Sequence, residues 1–127
     1  MREIKFRAWD NFFKQMYYFD FENNIEVRSG HLWIVHEEGA ISSKSPSIKI
    51  MQYTGLKDKN GIEIYEGDIV SWNNKIGYIG FLKQEMGYCI ILKDTDFRLG
   101  HRNIGSGYDF NADIEVIGNI YENPELI

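Results

Sequence analysis

Apolar and polar positions alternate from the start of this chain, with the period of two that a β-strand imposes and an α-helix does not. Between Met1 and Trp9, Ile4, Phe6 and Ala8 fall on one face, and Lys5, Arg7 and Trp9 on the other. Asp10-Asn11 breaks the pattern and Gln15 to Phe21 reads as a returning strand, which predicts an N-terminal β-hairpin. Phe12, Phe13, Met16 and Tyr17 also fit the spacing of a short helical turn, against which the run Tyr17-Tyr18-Phe19 favours a strand. Ile25 to Arg28 is a weak short strand and His31 to His36 a stronger one. Gly39 to Ser47 is serine-rich with one proline and reads as a loop, the softest boundary in the chain.

The second half is more regular. Ser47 to Tyr53 reads as a strand ending at Thr54-Gly55, and Asp58-Lys-Asn-Gly61 is a turn in which Gly61 takes a positive φ. Glu66-Gly67-Asp68 turns the chain again and Ile69 to Trp72 leads out as a strand. Asn73-Asn74-Lys75 reverses it into Ile76 to Lys83, where Gly77 and Gly80 suggest a bulge or a tight corner. Tyr88 to Lys93 and Ile114 to Tyr121 are further strands, Thr95 to Leu99 fits a strand end or a helical turn, and Gly100 to Gly107 reads as a loop. Asn123-Pro124-Glu125 is a helix-start signal close to the last residue. About five short strands at turn spacings near ten residues predict a small closed barrel, which hides strand edges. The expectation is a mainly β protein. Residues 1–50 form an N-terminal β extension packed on a barrel of residues 51–127, or all 127 residues form one unit.

Composition changes this picture little. An aromatic content of 15% suits β-structure. No apolar run approaches the ~20 residues that span a membrane, and the charged start lacks a secretory h-region. The expected location is therefore the cytoplasm, with no membrane partner. A net charge of −5 opposes broad phosphate binding without excluding a local basic patch. Cys89, the one cysteine, sits in an apolar strand run and reads as a packed core thiol.

Reaction chemistry is harder to find. Asp58, Glu63, Glu66 and Asp68 form a local acidic set, but the glycine spacing fails for a calcium loop, and aspartates at these turns ordinarily hold their own backbone. His31 and His36 differ by five and point to opposite faces of one strand, and His101 stands apart in a loop, so no metal site is expected. Gly105-Ser-Gly107 lacks the lysine and helix of a phosphate loop, and the loop serines lack a nucleophile elbow. The expectation is no catalytic residue, no cofactor and no enzyme. One constellation carries binding chemistry: Trp72, Lys75, Tyr78 and Lys83, with Tyr88 nearby, interleave aromatic and basic residues as single-strand-binding barrels do. The competing reading, favoured by the net charge, makes these aromatics core. Lys5, Arg7 and Trp9 share a face that needs covering, either by a second copy of the chain or by residues 31–36.

Three blocks, Met1-Arg-Glu-Ile-Lys-Phe-Arg-Ala-Trp-Asp10, Met51 through Val70, and Glu115 through Leu126, together resemble the YopX family of phage and prophage proteins. The resemblance implies an SH3-like barrel and a phage-type accessory role, with no family catalytic residue or cofactor to carry over. The functional expectation is a non-enzymatic module that binds an unidentified protein partner or a second copy of itself. The alternative is a nucleic-acid-binding barrel.

Overall fold

The computed structural model describes residues 4–20, 25–28, 30–36, 39–42, 44–83, 86–92, 96–98 and 113–127. The expected Gly100–Gly107 loop, with His101 and Gly105-Ser-Gly107, lies outside these residues, as does Ser43. The chain divides into two compact units, Met1–Tyr53 and Thr54–Ile127. The protein is mainly β, and among the described residues no helix is long and apolar enough to cross a membrane.

In the first unit, β1 (Lys5–Asp10) and β2 (Gln15–Asp20) form the expected antiparallel hairpin, with Asp10 opposite Gln15. Phe12 and Phe13 belong to its loop and not to a helical turn. β3 (Ile25–Arg28), β4 (His31–His36) and β5 (Gly39–Ser42) form a separate antiparallel sheet. β5 corrects the expected Gly39–Ser47 loop. Its four residues have weak strand character of their own, and pairing of Ala40 with Val35 and Ile41 with Ile34 recruits them. The first residues of β6 (Ile48–Lys57) pair with the other side of β1. Ala8, Phe19, Ile34 and Ile48 make the core of this unit, so strand His31–His36 covers the Phe6 and Ala8 face of β1 and not the Lys5, Arg7 and Trp9 face, for which it was one of the two expected covers. The other face is buried too, at Arg7 and Trp9.

β6 does not stop at Thr54-Gly55 but continues to Lys57. Thr54 Oγ1 donates to the Ile64 carbonyl at 2.7 Å, which ties this end of β6 to β7 (Glu63–Tyr65). β8 (Asp68–Trp72), β9 (Lys75–Leu82), β10 (Gly87–Ile91), β11 (Asp96–Arg98) and β12 (Glu115–Asn119) form an antiparallel sheet in the order β11-β10-β9-β8-β12. This sheet is open. Among the described residues its outer strands do not meet, so the hydrogen-bonded closure expected of a barrel is absent. Asn73 and Asn74 both have positive φ (51° and 62°), the two-residue hairpin geometry whose twist matches the flanking strands. Ile64, Val70, Trp72, Ile79, Ile90 and Ile114 form the core. Ile62, next to that core in sequence, is about half exposed. Pro124–Leu126 is a single 3-10 turn.

Gly77 marks a close approach. A β-carbon there would lie 2.6 Å from the Ile91 carbonyl oxygen and 2.7 Å from Leu92 Cδ2. Its smallness lets β9 and the strand beside it pack, a use of glycine expected at a tight corner.

Candidate functional site

The four residues singled out for nucleic-acid contact do not share a surface. Trp72 is buried in the core of the second unit. Register puts Val70 opposite Gly77 and Ile69 opposite Tyr78, and alternation then places Trp72 and Tyr78 on opposite faces of the sheet. Tyr78 is half-buried between its cross-strand neighbours Ile69 and Ile91. Lys75 and Lys83 are exposed, one at the start of β9 and the other just past its end, about 26 Å apart at strand rise. Tyr88 packs against the core and meets Phe81 edge to face, with ring centroids 5.2 Å apart. No platform for successive bases forms from these side chains.

The acidic turns are accounted for by backbone. Asp58 Oδ1 accepts the Asn60 and Ile62 amides at 2.8 and 2.9 Å, and Oδ2 accepts the Val116 amide at 2.9 Å. The neighbouring Lys59 amide donates to the Ile114 carbonyl at 2.9 Å. The turn therefore lies along β12 and satisfies backbone groups that a neighbouring strand would otherwise take. Burial alone pushes the Asp58 carboxyl upward. The amides of Val116, Ile62 and Asn60, with a smaller contribution from Lys59, outweigh it and hold its pKa below the ordinary 3.8. Asp68 Oδ2 accepts the Tyr65 amide at 2.7 Å across the turn that contains Gly67 (φ 86°). Asn119 Oδ1 accepts the amides of Tyr121 and Glu122. Cys89 is fully buried, and Tyr53, Thr54 and Tyr65 are buried as well.

One open polar cleft of about 420 Å³ is lined by Lys59, Ser71, Asn73, Asn74, Asp113 and Glu115. Lys59 Nζ lies 3.5 Å from Glu115 Oε2, both side chains nearly half exposed, a pairing of little energetic weight. Among the described residues no group of three or more histidine, cysteine, aspartate or glutamate side chains is placed to hold a metal ion.

The surface feature that stands apart is the loop of the first hairpin. Phe12 and Phe13 are 76% and 70% exposed, far beyond what large aromatic side chains in a domain ordinarily retain. Their rings meet edge to face, with centroids 4.8 Å apart and planes at 82°. The loop is held from beneath. Buried Asp10 accepts the amides of Phe12 at 2.9 Å and Phe13 at 3.2 Å on one carboxylate oxygen. Lys14 closes the loop at φ 57°, and its ammonium donates to Asn11 Oδ1 at 2.9 Å. The Asn11 amide donates to the Ser47 carbonyl at 2.8 Å, anchoring the loop to the turn before β6. Sequence reading missed this pair because the spacing of Phe12, Phe13, Met16 and Tyr17 drew attention to a possible helical turn and not to exposure. The available signal was Asp10, a turn-forming carboxylate placed just before them.

Comparison with known proteins adds family and fold. The model of the YopX protein family matches residues 5–127. Among solved structures, the chain is similar to one described as the crystal structure of protein EF1440 from Enterococcus faecalis, at 28% identity, covering 99% of each chain with a TM-score of 0.58. No curated protein matches. With the family model covering nearly the whole chain, the protein belongs to the YopX family.

Proposed function

We propose that this protein is a non-enzymatic interaction module whose contact element is the Phe12–Phe13 loop. The single observation behind the reading is the exposure of two adjacent aromatic rings on a loop that four hydrogen bonds hold in place. Leaving both rings in water forfeits about 1.5–3 kcal/mol of burial free energy for each. Rigid, central aromatics are also the side chains that dominate protein interfaces, because little conformational entropy is lost when they are buried there. The carboxylates and amides that would attract attention in an enzyme, at Asp10, Asp58, Asp68 and Asn119, are instead engaged with backbone amides.

On this reading the protein is an accessory factor of phage or prophage type acting in the bacterial cytoplasm, and its second unit is an opened variant of the SH3-like barrel. The Asp58–Lys59 turn along β12 supports the barrel comparison, because it occupies an edge that closure would otherwise protect. The partner is another protein, a second copy of the chain included.

A photo-crosslinking phenylalanine analogue placed at position 13 of the full chain tests the reading in cells. Expected are discrete protein adducts that do not form when the analogue replaces exposed Lys57. Absence of protein adducts from position 13 would overturn it.

A further inference from the structure

The loop carries more than its two rings. Lys14 follows Phe13 directly. The bond from the Asn11 amide to the Ser47 carbonyl brings the 44–48 turn beside the loop, and that turn is closed by the Ser45 amide on Ser42 and the Ile48 amide on Ser45, each at 3.1 Å. Lys44 lies in this turn and Lys49 just after it, paired across the sheet with Trp9. All three lysines are exposed. In the two segments 9–16 and 44–50 the one acid is Asp10, which is buried beneath the loop with an oxygen accepting two amides. A molecule of net charge −5 thus presents an apolar tip with an exposed basic surround.

Building on the interface reading above, we infer that the partner surface is apolar at its centre and rich in carboxylates at its rim: an acidic protein that receives the two rings and meets Lys14, Lys44 and Lys49 around them. Such an arrangement gives the contact its orientation and its rate of encounter, since opposite potentials steer association and fix register. Two other anionic classes fit less well. Successive nucleic-acid bases stack on ring faces that lie roughly parallel, whereas these rings stand at 82°. A flat anionic bilayer brings the whole molecule near its surface, where the net charge of −5 opposes the three lysines. A protein surface engages the tip alone.

Selection from a display library of constrained random peptides, with the full chain as bait, reads this preference directly. The expected ligands combine Asp and Glu in excess with Leu, Ile or Trp. Binding falls at least about tenfold for the double variant Phe12→Ser/Phe13→Ser. It falls about tenfold for Lys14→Glu/Lys44→Glu/Lys49→Glu at low salt, with the second difference shrinking as salt rises. Circular dichroism and urea unfolding establish that both variants keep the fold. Ligands that need the phenylalanines but show no acidic excess would overturn the acidic partner and leave the interface standing. Ligands indifferent to the phenylalanines would overturn both. Oligo(dT) or phosphatidylcholine–phosphatidylserine vesicles binding through the same residues, in place of acidic peptides, would reassign the tip to nucleic acid or membrane.

Discussion

The turns built on Asp10 and Asp58 use the same device with opposite results. Each buries an aspartate and directs its oxygens at backbone amides two or more residues ahead. In the second unit the residues lifted by the device are Lys59, Asn60 and Gly61, which water solvates readily, and the carboxylate's other oxygen reaches the Val116 amide on β12. In the first unit the lifted residues include Phe12 and Phe13. One turn completes a sheet edge, and the other presents apolar surface outward. Turn chemistry fixes where the chain reverses, and the residues placed on the turn decide whether the reversal is structural or functional.

Substitutions separate the two turns. The largest loss is expected for Asp58→Ala, which removes the acceptor from three amides; water reaches those of exposed Asn60 and Ile62, and the Val116 amide on β12 carries most of the cost, so urea unfolding should register about 2–3 kcal/mol. The same carboxylate makes the protein acid-sensitive. Its pKa in the folded chain lies below the ordinary 3.8, so its contribution is present above that value and is lost as pH falls through the lower folded pKa. Unfolding followed from neutral pH to below pH 4 should therefore show a steeper acid loss for the wild type than for Asp58→Asn.

Gly77→Ala comes next. The new methyl meets the Ile91 carbonyl at 2.6 Å, and overpacking of this kind costs about 1–3 kcal/mol, visible as a lower denaturation midpoint. Asp10→Ala should cost less, about 1 kcal/mol, because the freed amides of Phe12 and Phe13 sit on an exposed loop where water replaces the carboxylate. The smallest change in stability, within about 0.5 kcal/mol, is expected for Phe12→Ser/Phe13→Ser, since neither ring belongs to the core cluster of the unit. A loss of 2 kcal/mol there would erase the contrast between the turns.

Much of the fold was legible in the sequence because turn residues announce themselves. Asp58 through Gly61 and Asn73-Asn74 reverse the chain where their chemistry requires it, and the strands on either side follow by alternation. β5 was not legible, because Gly39-Ala-Ile-Ser becomes a strand through its pairing with β4 and not through its own preference. Barrel closure was not legible either: strand count and spacing are alike for an open sheet and a closed one. The candidate site escaped for a related reason. Alternation says which residues share a face of one strand but not which face a neighbour covers, and so Trp72 and Tyr78 looked like companions until register separated them. Phe12 and Phe13 stood out in the sequence only for their helical spacing, and the loop with its Asp10 anchor sets them outside.

Whether the Phe12–Phe13 loop is the contact element is decided by a quantitative comparison of the proteins retained, in the cell that carries the gene, by the tagged wild-type chain and by the folded Phe12→Ser/Phe13→Ser variant. At least one protein should be retained by the wild type and depleted about tenfold or more by the variant. Equal retention by both chains would contradict that role.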